Sequence, residues 1–235
     1  MTELISNFNL NEMKKKVLIT GGNRGVGLAL VSKFLSEGFQ VIATSRSGKI
    51  ETLHHPDLCI VALEITSSVS IENVLSEINK KFGTIDVLIN NAGVGLDLDK
   101  NHPEIDVVKT TFETNVFGLL NFTESCLDLM NDGGTILNVS SVMGMLNRDK
   151  IVPNATAYRM SKSAVNMYTK TLSARLQERN IRVISIHPGW VKTDMGGQEA
   201  DITPEFSANG IFELYLKKLP SGTFWAADNQ VELNW

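Results

Sequence analysis

The segment ATAYRMSKSAV, residues 155–165, places Tyr158 four residues before Lys162. Its pattern is typical of the start of an amphipathic helix, and on a helix two side chains four residues apart project from one face. A phenol and an ammonium held in this way could share a site for proton transfer. The same spacing also occurs by chance on ordinary helices, so its interpretation depends on the rest of the chain.

The composition indicates one globular domain with no electrostatic reason to bind nucleic acid or a membrane. The chain has 235 residues, of which 43% are hydrophobic and 20% charged, and its net charge is -4. No apolar run approaches the roughly 20 residues that span a bilayer, and the start of the chain lacks the basic and apolar regions of a secretory signal. We expect a cytoplasmic protein with an N-terminal arm at 1–13 and one domain at 14–235.

The cysteines and histidines do not predict a metal site. Cys59 and Cys126 are far apart, with no CxxC spacing and no close histidine, and both are typical of small buried hydrophobic residues. His54 and His55 are adjacent, so their side chains would point apart on a helix or a strand. We therefore predict that no metal is bound.

Short β-branched segments alternate with longer helical patterns, which predicts a parallel sheet covered by helices on both faces. Strands are predicted at 16–20, 40–45, 58–65, 86–90, 135–141 and 182–188, with a short last strand near 222–225. Helices are predicted at 25–37, 70–82, 105–130, 156–179 and 204–218. The right-handed crossover rule then favours an α/β fold of the single-domain Rossmann type, a doubly wound sheet of about seven strands in the order 3-2-1-4-5-6-7.

Glycine-rich and polar segments come directly after the predicted strands. The first strand is followed by GGNRGVG, the second by Arg46, the fourth by NAGVG and the sixth by PGWVKTDMGG, while Ser140 and Ser141 close the fifth. Ligands of open α/β sheets bind in the crevice outside the carboxyl ends of the strands. The sequence therefore predicts one ligand site along this edge.

The turn TGGNRGVG, residues 20–27, lies between a strand and a helix. Its glycines would let a pyrophosphate approach the backbone amides at the positive end of the helix, although a tight structural turn could have the same sequence. The second strand ends in Ser45 and Arg46 where an acidic residue would bind the ribose of NAD. Arg24 and Arg46 could instead pair with a 2′-phosphate, which favours NADPH over NADH, unless Arg46 is only a solvated loop charge.

Further motifs follow in a fixed order over about residues 16–195. They are NNAG at 90–93, Asn115, a serine ahead of the tyrosine, YRMSK at 158–162 and PGWVKT at 188–193. In these motifs and in its Thr-Gly-x-x-x-Gly-x-Gly turn the chain resembles the classical short-chain dehydrogenase/reductase family. The segments AYRMSKSAVNM and HPGWVKTDMGG, with a C-terminal tryptophan, resemble its C-factor and sniffer-like carbonyl reductase branch.

The resemblance implies an NAD(P)H-dependent oxidoreductase, most closely an NADPH-dependent carbonyl reductase with a tyrosine as proton donor. An alternative that the C-factor likeness leaves open is a cofactor-binding signalling protein. Small-molecule carbonyl or alcohol substrates and a homodimer or homotetramer are also implied, the assembly being built on the helices at 105–130 and 156–179.

The resemblance further implies catalytic roles for four side chains. Tyr158 would protonate the carbonyl oxygen, Ser141 would hydrogen-bond it, and Lys162 would hold the nicotinamide ribose and lower the phenol pKa. Asn115 would anchor a water that leads protons to Lys162. An ammonium about 5 Å from a phenol, at an effective dielectric of about 20, is worth roughly 3 kcal/mol, which would lower the phenol pKa by about 2.

Cofactor contacts are implied along the whole edge. Glu64 would receive the adenine amino group, and Thr193 would hydrogen-bond the nicotinamide carboxamide. The contacts expected besides Tyr158 and Lys162 are Thr20, Gly21, Asn23, Arg24, Gly25, Val26, Gly27, Ser45, Arg46, Glu64, Ile65, Asn91, Ala92, Gly93, Pro188, Gly189, Val191 and Thr193.

Two segments should shape the substrate pocket. The segment at 142–157 is longer than is common in the family and would border the pocket. A short lid region at about 194–215 would leave the pocket open to small carbonyl compounds.

Overall fold

The computed structural model describes residues 14–235, so the predicted arm at 1–13 lies outside the described residues. The strands are β1 (Lys16–Ile19), β2 (Gln40–Ser45), β3 (Leu58–Ala62), β4 (Ile85–Asn90), β5 (Met130–Val139), β6 (Arg182–His187), β7 (Phe224–Ala226) and β8 (Glu232–Leu233). They form one sheet in the order β3-β2-β1-β4-β5-β6-β7-β8. All neighbours are parallel except β7 and β8, which are antiparallel. The predicted order of seven strands is confirmed, and β8 is an addition.

Helices cover both faces of the sheet. They are α1 (Gly25–Ser36), α2 (Ser68–Phe82), α3 (Ile105–Phe112), α4 (Leu119–Cys126), α5 (Thr156–Arg175) and α6 (Pro204–Leu216). One apolar core lies between the sheet and α1 with α6, and a second lies between the sheet and α2, α4 and α5. Within residues 14–235, no helix combines the length and the apolar character that crossing a membrane would require.

An aromatic cluster holds α6 against α1. The ring of Phe34 lies 5.0 Å from the ring of Phe212 and 5.8 Å from that of Tyr215, measured between centroids. Edge-to-face and tilted aromatic pairs of this kind add stability beyond the apolar area that they bury. Since α6 follows the loop after β6, this packing anchors one end of that loop.

Two strands differ from the prediction by three residues or more at one end. β3 ends at Ala62 rather than at residue 65, because the carboxylate of Glu64 accepts hydrogen bonds from the N–H and the hydroxyl of Thr66 and so forms a turn. β5 begins earlier than predicted, at Met130, which pairs with Ile85 before a shift in register. Both differences come from local hydrogen bonding that the apolar pattern does not encode.

The predicted helix at 105–130 is interrupted. A π-helical turn at Glu113–Gly118 separates α3 from α4, and it contains Asn115. A Cβ on Gly118 would lie 2.9 Å from the carbonyl oxygen of Ile65, so this glycine lets the turn approach the loop after β3. π turns within helices occur mostly at functional sites.

Much of the region predicted as a substrate lid is helical. Residues 204–215 belong to α6, in which side chains such as Ile211, Phe212 and Leu214 are buried. In the predicted lid at 194–215, therefore, only residues 194–203 lie in the loop between β6 and α6.

Candidate active site

Tyr158 and Ser141 meet at the C-terminal edge of the sheet. Ser141 follows β5, and Tyr158 lies in the first turn of α5. Their side chains are buried, with exposed fractions of 9% for Tyr158 and 6% for Ser141, and the Ser141 hydroxyl is near enough to act on the pKa of Tyr158. The site thus presents two hydroxyl groups at one point, where a single oxygen of a ligand could contact both.

Lys162 lies one helical turn beyond Tyr158. Its Nζ is 5.5 Å from the centroid of the tyrosine ring and donates a hydrogen bond of 2.8 Å to the carbonyl oxygen of Val139 at the end of β5. Burial lowers the pKa of Lys162 to about 8, because the ammonium is removed from water. The lysine can therefore gain and lose a proton close to neutral pH.

The pKa of Tyr158 departs from the expectation that Lys162 would lower it. Burial raises the pKa of Tyr158 to about 12, and the nearby Ser141 hydroxyl acts in the opposite direction with a smaller effect. The expectation counted the lysine charge and omitted the desolvation of the phenolate, which is the larger effect here. The lysine is buried as well, and so its charged form is itself disfavoured.

The side chain of Asn115 connects the loop after β4 to α5 through hydrogen bonds. Its Oδ1 accepts a hydrogen bond from the N–H of Val94 at 2.8 Å, and its Nδ2 donates to the Val94 carbonyl at 2.8 Å and to Ser161 Oγ at 3.1 Å. A Cβ on Gly93 would lie 3.2 Å from Asn115 Oδ1 and 3.8 Å from Lys162 Nζ. The π turn and the glycine together bring Asn115 close to Lys162, so the structure gathers the four side chains that were predicted to be catalytic.

The backbone of the glycine-rich turn adopts conformations and close contacts that residues with side chains would not allow. Gly21 and Gly25 have φ angles of +67° and +53°, in the left-handed region that favours glycine. A Cβ on Gly27 would lie 2.0 Å from the carbonyl oxygen of Gly21. No side chain caps the N-terminus of α1, which starts at Gly25. A bare backbone at the positive end of a helix fits the pyrophosphate of a dinucleotide.

Thr20 and Asn91 hold this turn in place. Thr20 Oγ1 accepts hydrogen bonds of 3.0 Å from the N–H groups of both Asn91 and Ala92. Asn91 Nδ2 in turn donates to the carbonyl oxygens of Thr20 and Gly21, at 3.0 and 3.2 Å. The NNAG segment therefore stabilises the glycine-rich turn through hydrogen bonds. This role does not depend on any contact of NNAG with a ligand.

The residues expected near a 2′-phosphate have different surroundings. Nη1 of Arg24 lies 2.6 Å from Oδ2 of Asp194, and in the same turn as Arg24 the side chain of Asn23 is exposed and that of Val26 is half-buried. Arg46 is exposed after β2. The hydroxyl of Ser45 is bonded to the backbone of Lys49, with both distances at 3.1 Å, and so shapes the turn.

On the adenine side of the predicted site, Glu64 and Ile65 differ in their exposure to solvent. Glu64 is exposed, with its carboxylate bonded to Thr66. Ile65 is buried, and its Cγ2 lies 3.2 Å from where a Cβ on Gly118 would be. Only the glutamate of this pair is open to solvent.

The loop after β6 forms the other wall. Gly189 has a φ angle of +90°, and a Cβ there would lie 2.5 Å from Cδ1 of Ile202. Val191 pairs with Ile202 in an isolated parallel bridge. The hydroxyl of Thr193 accepts from the N–H of Gly196 at 3.1 Å and donates to the carbonyl of Val191 at 3.3 Å.

Two contacts tie this wall to its surroundings. Ser207 Oγ of α6 donates to the carbonyl of Pro188 at 2.6 Å. A Cβ on Gly25 would lie 3.1 Å from Cγ2 of Thr193, so the loop after β6 lies against the glycine-rich turn. The predicted nicotinamide and pyrophosphate contacts are therefore neighbours.

The sequence reasoning missed a buried link between Ser140 and Asn166. Ser140 Oγ donates to Asn166 Oδ1 at 2.6 Å and contacts the carbonyl of Lys162 at 3.3 Å. This link holds the end of β5, next to Ser141, against the turn of α5 that carries Lys162. Its signal in the sequence is an asparagine four residues after the lysine, on the same helix face.

A doubly wound sheet, a glycine-lined turn after β1 and a buried serine, tyrosine and lysine at the strand ends define an NAD(P)-dependent oxidoreductase of the α/β class. A family profile described as short chain dehydrogenase matches residues 15–202. The chain belongs to the short-chain dehydrogenase/reductase family.

Two solved structures are similar to this chain over almost their whole length. The NADPH-bound carbonyl reductase from chicken fatty liver is 30% identical, with a TM-score of 0.85 over 94% of this chain and 99% of that one. The carbonyl reductase Sniffer of D. melanogaster is also 30% identical, with a TM-score of 0.85 over 95% of this chain and 100% of that one.

A relative in sequence is an uncharacterized oxidoreductase of Schizosaccharomyces pombe. It is 34% identical over 182 residues, which are 76% of this chain and 61% of that protein. The match thus spans less than two thirds of that relative.

Proposed function

We propose that the protein is an NADPH-dependent carbonyl reductase that converts an aldehyde or a ketone into an alcohol. The observation that carries the proposal is the cluster of buried side chains at the carboxyl ends of the strands, in which Lys162 Nζ lies 5.5 Å from the ring of Tyr158 and Ser141 follows β5 beside them. The likeness to two carbonyl reductases, each 30% identical, supports the same class of substrate.

Tyr158 donates the proton to the substrate oxygen, and Ser141 hydrogen-bonds the same oxygen. NADPH, when bound, supplies the hydride that goes to the carbonyl carbon. The carbonyl oxygen then becomes an alkoxide, a far stronger base than a phenolate, so a phenol with a pKa of about 12 can still protonate it. Oxidation would instead need the phenolate, which is scarce at neutral pH at this pKa. At neutral pH Tyr158 is therefore in the protonated form that the reduction requires.

Lys162 returns a proton to Tyr158 and binds the nicotinamide ribose. Its pKa of about 8 suits a group that gives and regains a proton in each cycle near neutral pH. Asn115 supports Lys162 from the π turn and anchors the water that supplies protons to it. The hydrogen bonds of the Asn115 side chain to Val94 and Ser161 support a fixed position for this residue.

NADPH is the proposed cofactor because an arginine, and not a carboxylate, comes directly after β2, and a second arginine lies in the turn after β1. Arg46 is exposed directly after Ser45, and Arg24 stands in the glycine-rich turn. Two guanidinium groups can bind a phosphate through several charge-assisted hydrogen bonds. The other cofactor contacts predicted from the sequence complete the proposed site, in which Thr20 and Asn91 also stabilise the turn.

A homodimer or homotetramer is the proposed assembly, formed through the outward faces of the π turn and α5. Large apolar side chains are exposed there: Phe117 to 54%, Met160 to 48% and Met167 to 63%. Met160 and Met167 are seven residues apart on α5 and so share one face of the helix, and exposed apolar surface of this kind is typical of an interface. Met167→Glu should lower the mass measured by light scattering, and an unchanged oligomer would contradict this surface.

The first experiment titrates NADPH and NADH in parallel and then adds a panel of aldehydes, ketones and diketones. Tyr158→Phe should abolish turnover and leave the Kd of NADPH unchanged. The matched control is Tyr168→Phe on the same helix. The Tyr168 hydroxyl donates a hydrogen bond of 2.9 Å to Glu124, outside the candidate site, so this variant should keep its activity. Substantial turnover by Tyr158→Phe would refute the mechanism. NADPH binding without any turnover by the wild type would favour the signalling alternative.

A further inference from the structure

Helix α5, which carries both Tyr158 and Lys162, begins without a capping side chain of its own. Its N-cap residue is Ala155, with a φ angle of 58° and no side-chain hydrogen bond. A helix usually begins at Ser, Thr, Asp or Asn, whose oxygen accepts from an N–H of the first turn. The first N–H groups of α5 therefore need an acceptor from elsewhere in the chain.

Asp97, in the loop after β4, supplies that acceptor. Its Oδ2 accepts from the N–H of Ala157 at 2.7 Å, and its Oδ1 accepts from the N–H of Tyr158 at 3.2 Å. The carboxylate is buried, with 2% of the residue exposed. A negative charge at the start of a helix is also favoured by the helix dipole. Asp97 is thus a cap contributed from outside the helix, and one of its two bonds is to the backbone of Tyr158 itself.

Hydrogen bonds hold both ends of the loop that carries Asp97. At one end, Val94 is bonded in both directions to the side chain of Asn115. At the other end, the carbonyl of Lys100 accepts from the N–H of Ala155 at 3.0 Å, and the carbonyl of Leu98 accepts from Asn154 Nδ2 at 2.7 Å. The segment 94–100 therefore connects Asn115 to the first turn of α5.

We infer that Asp97 is a positioning residue that sets the place of the Tyr158 phenol through the backbone of α5. The inference rests on the proposed function of Tyr158 as the proton donor. Without the carboxylate, two buried N–H groups lose their acceptor and the first turn must rearrange to find others. A displacement of about 1 Å in a reacting group can lower the rate about 100-fold.

The test compares Asp97→Ala and Asp97→Asn with Ser67→Ala. Ser67 caps α2 by accepting from the N–H of Ser70 at 3.3 Å, so its removal also deletes a helix cap, but on a helix without Tyr158. Each protein is labelled with ¹³Cζ-tyrosine. The chain has three tyrosines, so three resonances can be assigned by Tyr→Phe substitution. The Tyr158 resonance should move in Asp97→Ala, move less in Asp97→Asn, and stay in place in Ser67→Ala.

Kinetics with the best carbonyl substrate of the panel give a second readout. For Asp97→Ala, kcat should fall about 10- to 100-fold, the Kd of NADPH should stay unchanged, and the primary isotope effect with 4-deuterated NADPH should increase. A purely structural role would reduce the amount of active enzyme and leave the isotope effect as in the wild type. Asp97→Asn, which keeps one acceptor, should recover part of kcat.

An unchanged Tyr158 resonance in both Asp97 variants would overturn the inference, as would a wild-type isotope effect in both. If Asp97→Ala does not fold, Asp97→Asn alone decides between these outcomes. If the wild type reduces no carbonyl, the proposed function fails, and the tyrosine resonances still decide whether Asp97 positions Tyr158.

Discussion

Nη1 of Arg24 lies 2.6 Å from Oδ2 of Asp194, which joins the glycine-rich turn to the loop after β6. The two side chains are 67% and 79% exposed, so the ion pair is worth about 0.2–1 kcal/mol. Arg24 is also a proposed ligand of the 2′-phosphate of NADPH. If Arg24 binds the phosphate as proposed, Asp194 competes with the cofactor for one guanidinium group.

Asp194→Asn should strengthen NADPH binding by up to about fivefold and leave NADH binding unchanged, because only NADPH has the phosphate that Arg24 would bind. Parallel titrations of the two cofactors at low ionic strength measure the effect. In the background of Arg24→Ala the same substitution should have no effect. Equal strengthening for both cofactors would show that Asp194 acts on the loop and not on Arg24.

Thr20→Val should loosen the glycine-rich turn with little change of shape. The hydroxyl of Thr20 accepts from the N–H groups of Asn91 and Ala92, and valine leaves both without that acceptor. Each unsatisfied buried group costs about 1–3 kcal/mol. We expect a lower Tm and weaker binding of NADPH, measured by calorimetry. Thr223→Val removes a hydroxyl that accepts from Trp225, away from the turn, and should leave cofactor binding unchanged.

Gly27→Ala should prevent the turn from closing, because the new Cβ would lie 2.0 Å from a backbone oxygen. Overpacking of this kind typically costs about 1–3 kcal/mol, and a backbone neighbour cannot move aside as a side chain can. Urea denaturation and NADPH titration measure the loss. The control is Gly38→Ala, which meets nothing within 4 Å and carries only the strain of its φ angle of +81°. Equal loss in the two variants would contradict the close approach.

Lys162→Met should stabilise the protein at neutral pH. The pKa of Lys162 falls from its ordinary value of 10.5 to about 8 in the folded protein, so between these values the unfolded chain binds more protons. The free energy of unfolding contributed by Lys162 therefore rises with pH in that window. Below pH 8, burial of the ammonium destabilises the wild type by up to about 3 kcal/mol.

Urea denaturation of both proteins from pH 7 to 10.5 measures this effect. The advantage of Lys162→Met should be largest at pH 7 and should shrink as pH rises from 8 to 10.5. Tyr158, whose pKa is raised, is present in both proteins, so its contribution above pH 10 largely cancels in the difference. A difference that is constant over the whole range would contradict the lowered pKa of Lys162.

The order of the sheet could be predicted because apolar strands of five to eight residues and the crossover rule leave few alternatives. β8 could not, since two residues at Glu232–Leu233 are too short for any pattern. The interruption around Asn115 was also missed, because the apolar spacing of one continuous helix covers α3, the π turn and α4 equally well.

The position of the candidate site followed from its motifs, but its electrostatics did not. The raised pKa of Tyr158 results from burial, which depends on how the whole chain packs. The role of Asp97 was missed for a similar reason: its bond to the Tyr158 backbone spans 61 residues of sequence. Nothing near an aspartate in a loop indicates which distant N–H groups it will meet.

The two edges of the sheet differ in their exposure to other chains. β8 pairs along β7 and ends one edge with a strand of only two residues. At the other edge, β3 presents the apolar segment LCIVA, with no strand on its outer side among residues 14–235. Apolar edge strands without a neighbour are where foreign strands add and aggregates begin. The solubility of concentrated protein should therefore depend on the β3 side, and a charged residue there should slow aggregation more than one on β8.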